Sequence, residues 1–167
     1  MTTRRLPLTG VRVLELGNYI AAPTAGRMLA DFGAEVIKVE RPGTGDELRN
    51  WRLKAGTTSM LYRTINRNKK SVALDIAKPE GQAICHRLLE RCDVLVENFK
   101  VGALAKYGLA WEQLSPKHPR LIYCSITGFG QTGPYAPRPG YDALVQAMGG
   151  VMSLTGAPDG PPQKVGI

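Results

Sequence analysis

Residues 11–41 read VRVLELGNYIAAPTAGRMLADFGAEVIKVER, and this stretch decides the fold. Val11, Val13, Leu14 and Leu16 form a short apolar run rich in β-branched residues, ended by Gly17-Asn18, as in a strand buried within a parallel sheet. Pro23 suits a first helical position, where its missing N–H costs nothing. Ala25, Met28, Leu29 and Phe32 recur at helical spacing before Gly33 stops the helix, and Glu35 to Val39 makes a second strand. Strands joined by a helix of this length run parallel with a right-handed crossover. The Gly17–Ala22 turn and Arg41 therefore share one carboxyl edge, which is where open α/β sheets bind ligands. The turn offers small residues and free backbone N–H groups suited to an anion. It is not a GxGxxG, so no dinucleotide is implied, and an ordinary βα connection is the simpler reading of the turn alone.

The rest of the composition fits that start. At 167 residues, 43% hydrophobic and 22% charged, the chain suits a soluble globular domain with one sizeable core. The N-terminal MTTRRLPLTG has no apolar segment behind its arginines, so neither signal peptide nor membrane anchor is expected, and a cytoplasmic location is the default. Twenty-two Lys and Arg against 14 Asp and Glu give +8, which points to an anionic partner or to an acidic remainder of the protein. The basic residues are scattered rather than interleaved with aromatics, which argues against nucleic acid. The one cluster, Arg67, Lys69 and Lys70, fits the phosphates of a small cofactor or a solvated surface. Cys85 and Cys92 lie seven apart on one expected helix, beyond disulfide reach, and Cys124 lies in a strand, so three buried thiols and no metal site are expected. His86 and His118 read as surface residues.

Downstream, strands and helices keep alternating. PGTGDELRNWRLKAGTTS after Arg41 is too long and polar for a tight connection. A short helix over Ser59–Asn66 places Met60, Leu61 and Ile65 inward, and Ser71–Asp75 is a strand. Pro79 opens a helix lined by Ile84, Leu88 and Leu89, Asp93–Glu97 is a strand, and Arg120–Ile126 is another. This order predicts an α/β fold: a doubly wound, mostly parallel Rossmann-like sheet with helices on both faces. Gly128–Gly140 is a glycine- and proline-rich loop leading into a helix from Tyr141 to Met148. The segment from Val151 ends in mid-pattern, so residues 1–167 are expected to be a single domain fragment, the N-terminal portion of a larger domain in a longer protein.

Several motifs together resemble one family, the class III CoA-transferases. They are LTGVRVLELGNYIAAPTAGRMLADFGAEVIKVERPGTGDELR, NRNKKSVALD, DVLVENFKVGALAKYGL, ITGFGQTGPYAPRPGYDALVQAMGG and TGAPDGPPQKVG, in the family's order. The resemblance implies a protein at least about twice this length, built as an interlocked homodimer. Its activity would be transfer of coenzyme A from an acyl-CoA donor to a free carboxylic acid, with no permanently bound cofactor. In such enzymes an aspartate carboxylate attacks the thioester carbonyl and expels CoA thiolate, leaving a mixed anhydride. The thiolate then attacks the aspartyl carbonyl, releasing the donor acid and leaving an enzyme–CoA thioester that the acceptor reverses. By resemblance that aspartate falls just after Ile167, and Asp142 starts a helix instead.

Carried over by position, the resemblance implies CoA contacts at Asn18, Tyr19, Ile20, Ala21, Arg41, Leu74, Asn98, Phe99, Lys106, Tyr107 and Arg138. Arg41, Lys106 and Arg138 have the chemistry for phosphates, and Leu74, Phe99 and Tyr107 for adenine or the pantetheine arm. Leu74 and Phe99 read equally well as core, and Lys106 as a solvated cation. Two alternatives remain open. The related α-methylacyl-CoA racemases carry a GHD triplet whose histidine is a base, and Gly140-Tyr141-Asp142 stands in its place here; tyrosine is a poor base near neutral pH. The other alternative is an inactive truncated CoA-binding fragment. The run IYCSITGFGQTGP resembles members using dicarboxylates with succinyl-CoA, with formyl-CoA and carnitine-type acids as the open alternatives.

Overall fold

The computed structural model describes residues 5–51 and 53–166; readings of the first four residues, of Arg52 and of Ile167 lie outside them. The chain divides into two compact units, Met1–Ile126 and Thr127–Ile167. In the first, β1 (Arg12–Leu16), α1 (Ala21–Asp31) and β2 (Glu35–Glu40) are followed by a small hairpin, β3 (Lys54–Ala55) with β4 (Thr58–Ser59), and by α2 (Met60–Ile65). Then come β5 (Lys69–Ala73), α3 (Pro79–Leu89), β6 (Val94–Glu97), α4 (Trp111–Leu114) and β7 (Ile122–Ser125). Five strands pair in parallel in the order β5-β2-β1-β6-β7. The chain winds outward from β1 to β5, then returns to the other side of β1, so its direction switches between β1 and β6.

Alternation along the strands supplies both faces. Val13, Val36 and Val96 pack with Ala22 and Ala30 of α1, whereas Leu14, Leu16 and Leu95 pack with Cys85 and Leu89 of α3. Each such leucine, wholly withdrawn from water, is worth about 2 kcal/mol of transfer free energy. The doubly wound sheet expected from the sequence is therefore present, with helices on both faces.

Several local expectations are corrected. Helix α1 begins at Ala21, so Pro23 is its third residue rather than its first. Its sheet-facing side is Ala22, Pro23, Gly26 and Ala30, while Met28 and Phe32 are more than half exposed. The reason is closeness: a Cβ on Gly26 would sit 2.0 Å from Glu15 Oε2, so only small residues fit beneath this helix. The connection after Arg41 is not bare loop but carries a helical turn, Glu47–Asn50, and the β3–β4 hairpin. Met60 is exposed and Tyr62 takes its inward place. Ile84 also turns outward. β5 starts at Lys69, two residues early. Cys92 lies beyond the end of α3 and is only half-buried, as are Cys124, His86 and His118. The three thiols are free.

The basic cluster is corrected too. Arg67 pairs with Asp31 at 2.6 Å, Lys70 pairs with Glu35, and Lys69 turns inward to Glu15 at 2.8 Å. Carboxylates of the same fold neutralise all three cations, which are therefore not a phosphate site.

In the second unit, the loop closes on itself: a Cβ on Gly128 or on Gly140 would lie 2.3 Å from the other's Cα. Helix α5 (Asp142–Met148) follows, with Asp142 as its first residue and Tyr141 as cap. Gln146 of α5 exchanges two hydrogen bonds with the backbone of Val165, both 2.8 Å, which fastens the final segment to the helix.

Candidate functional site

The carboxyl ends of β1, β2 and β5 open into a cleft in the first unit. Gly17 and Asn18, Arg41, Leu74 and Asp75 form its walls with Phe99 and Tyr107 from the segments after β6. This is the edge that strand order alone selects for ligands in open α/β sheets.

The β1–α1 turn beside it is held in place by charge. Glu15 and Lys38 are register partners on β1 and β2, both fully buried, with Lys38 Nζ 3.0 Å from Glu15 Oε1. The same ammonium lies 2.9 Å from Asp46 Oδ2 and donates to the Gly17 carbonyl at 2.6 Å. Lys69 approaches Glu15 from β5, so two ammonium groups and two carboxylates neutralise one another away from water. Such a group tolerates burial only because every charge has a partner. Burial holds the Lys69 ammonium below its ordinary pKa against the pull of Glu15. Asp46 Oδ1 accepts from the Tyr19 N–H at 3.1 Å and from the Leu48 N–H at 2.9 Å. Tyr19 is left-handed, with φ at 63°, a conformation unusual for a bulky residue.

Glu40, at the end of β2, sits in a second cluster. It accepts two hydrogen bonds from Arg49 at 2.7 Å and one each from Tyr62, Ser71 and the Asp46 N–H. Burial alone would raise its carboxyl, but these donors together bring it down to about 2. Glu97 differs: burial pushes it up, and Ser125 and the Phe99 N–H, at 2.7 Å, offset that only in part.

Of the residues singled out from the sequence, Asn18, Arg41, Leu74, Phe99 and Tyr107 line the cleft. Leu74, Phe99 and Tyr107 also pack against the α3-side core, so core and cleft are the same side chains. Arg41 is exposed, and among the described residues no carboxylate pairs with it. Asn98 clasps the Asn18 backbone, and the Tyr19 ring lies tilted at 56° against that of Trp51, centroids 5.5 Å apart. Ile20 packs with Leu48, Tyr62 and Ile65, and Ala21 is the exposed first residue of α1. Lys106 lies 4.8 Å over the Tyr107 ring. Arg138 belongs to the second unit, 4.3 Å over the Tyr135 ring.

Sequence reasoning missed Glu47 and Asp75, which line the cleft, and the Glu15–Lys38–Asp46–Lys69 group. A signal for the latter existed: Glu15 and Lys38 interrupt the apolar runs of two strands at positions that pair. Among the described residues no cluster of His, Cys, Asp and Glu could hold a metal, and no helix is long and apolar enough to cross a membrane.

Comparison with known proteins agrees with this fold. The chain is 51% identical to the succinate–glutarate CoA-transferase of Agrobacterium fabrum over its whole length, covering 44% of that protein. It is 49% identical to the succinyl-CoA–D-citramalate CoA-transferase of Chloroflexus aurantiacus over 96% of this chain and 40% of that one. It superposes with a TM-score of 0.92 on the crystal structure of a CAIB/BAIF family protein from Brucella suis, at 47% identity, over 98% of this chain and 44% of the other. The chain thus spans less than half the length of these relatives. The family model for CoA-transferase family III matches residues 8–167, and the chain belongs to that family.

Proposed function

We propose that the cleft binds the nucleotide end of coenzyme A, and that this chain is the CoA-binding part of an enzyme moving CoA from an acyl-CoA donor to a free carboxylic acid. The observation that carries it is Arg41: an exposed guanidinium at the ligand edge that pairs with no carboxylate among the described residues, beside a wall of Leu74, Phe99 and Tyr107. Arg can hold a phosphate in a fork while the apolar wall takes the less polar parts of the ligand. Tyr19, Ile20, Ala21, Asn98 and Lys106 border the cleft in this reading, and Arg138 is proposed, on its charge and the family resemblance alone, as a further CoA contact.

Relatives named for succinate with glutarate, and for succinyl-CoA with citramalate, support dicarboxylic acids as acceptors and succinyl-CoA as donor. The attacking aspartate is proposed to follow Ile167. An interlocked homodimer in the cytoplasm, with CoA as substrate and no resident cofactor, completes the proposal.

The test pairs binding with turnover. Calorimetry with CoA should show heat that falls as ionic strength rises and weakens about tenfold or more in Arg41→Ala. A protein that continues past Ile167 and carries the proposed aspartate, incubated with succinyl-CoA and glutarate, should form glutaryl-CoA. Epimerisation of a 2-methylacyl-CoA without CoA exchange would make it a racemase instead.

A further inference from the structure

Resting on the CoA reading of the cleft, we propose that Lys38 and Asp46 are positioning residues: a buried ion pair that sets the β1–α1 turn in its ligand-ready shape before any ligand arrives. Neither residue lines the cleft. Their reach into it goes through backbone. Lys38 Nζ holds the Gly17 carbonyl at 2.6 Å, and Asp46 Oδ1 holds the Tyr19 N–H at 3.1 Å, so one pair grips the turn on both sides of Asn18.

The grip has something to oppose. Tyr19 stands at φ 63°, which a free tyrosine seldom adopts, and such a residue persists only where its surroundings over-determine it. The Tyr19 ring meets Trp51, and its backbone N–H is held by Asp46. Ile20 caps α1 with no side-chain hydrogen bond, and the left-handed position is not a glycine. Asp46 is in turn fixed: Lys38 lies 2.9 Å from its Oδ2, and its own N–H is bound by Glu40 at 3.0 Å. Lys38 is fixed by Glu15, whose second oxygen meets Lys69. A solvent-exposed pair would be screened and mobile; this one is dry, so its geometry is rigid.

A fully buried lysine between two carboxylates contributes little net stability compared with apolar residues of similar size. Its value lies in preorganisation. If only a fraction of molecules hold the turn, the apparent affinity falls by that fraction.

The test follows the Tyr19 amide by hydrogen exchange in the free protein, and CoA affinity by calorimetry, in wild type, Asp46→Ala and Asp46→Ala/Tyr19→Asn. In the wild type the amide should be protected before CoA is added. Asp46→Ala should expose it and weaken CoA binding about tenfold or more. Asparagine enters the left-handed region readily, so Tyr19→Asn in that background should restore part of the affinity, which repair of general stability would not do. A Tyr19 amide that exchanges freely in wild type until CoA binds overturns the proposal, as does a folded Asp46→Ala that binds CoA like wild type. Should Asp46→Ala not fold, the wild-type exchange decides alone. No heat from wild type sinks the CoA reading instead, and Tyr19 exchange in Asp46→Ala then decides whether the pair sets the turn.

Discussion

Asn98 satisfies both backbone groups of Asn18: its Oδ1 accepts from the Asn18 N–H at 3.0 Å, and its Nδ2 donates to the Asn18 carbonyl at 2.8 Å. The two residues follow β1 and β6, the strands between which the winding direction switches, so this clasp closes the sheet where the cleft opens. An asparagine is needed because one side chain must both accept and donate. Asn98→Asp keeps the acceptor and loses the donor, and Asn98→Leu loses both. Each should cost about 1–3 kcal/mol in urea unfolding, and Asn98→Asp should also weaken CoA binding. Wild-type stability in both variants would contradict the clasp.

Gly26→Ala should reverse the usual helix rule. At an exposed helical site the change gains about 0.5–1 kcal/mol. Here the new methyl would meet a Glu15 carboxylate oxygen at 2.0 Å, and that carboxylate is held by two lysines. A loss of about 2–4 kcal/mol is expected from displacing a buried ion pair, measured by thermal or urea unfolding. A neutral or stabilising result would mean α1 lifts easily off the sheet.

Acid should unfold the protein partly through Glu40. Its folded pKa, about 2, lies below its ordinary 4.5, so its contribution is complete above 4.5 and disappears as pH falls towards 2. At about 1.4 kcal/mol per pH unit that contribution is about 3 kcal/mol. Glu40→Gln should be less stable at pH 7 and show a flatter stability profile between pH 4.5 and 2.5. Parallel profiles for the two proteins would assign the acid loss to other carboxylates.

Cys85 should be silent to thiol reagents in the folded state. It is fully buried on α3, and burial pushes its thiol up to about 11, leaving little of the reactive thiolate at pH 8. Iodoacetamide followed by peptide mass spectrometry should find Cys85 modified in urea and unmodified in buffer. Modification in buffer would indicate that α3 opens from the sheet.

What the sequence by itself determined is the frame. Short apolar runs and period-3.6 patterning between Val11 and Ser125 mark the five strands of the main sheet and the helices between them, and the crossovers make those strands parallel. From that alone Arg41 and the Gly17–Ala22 turn fall on one edge. The family's motifs supply the proposal for the remaining positions, and residues 8–167 match the family's model. Both signals are local: a strand's alternation and a motif's spacing survive without knowing what lies across the sheet.

What only the tertiary structure decided is which side chains those elements bring into contact. Helical spacing chose Met28 and Phe32 for the buried side of α1, yet the sheet beneath carries a carboxylate at Glu15, and only Ala22, Gly26 and Ala30 are small enough to lie over it. Three neighbouring cations, Arg67, Lys69 and Lys70, read as an anion site until Asp31, Glu15 and Glu35 arrive from elements more than thirty residues away. Asp46 lies in a polar stretch with nothing to mark it, and becomes the holder of Tyr19 only once β2 delivers Lys38 beside it. Charge pairing depends on distance in space and on exclusion of water, and neither is set by distance along the chain.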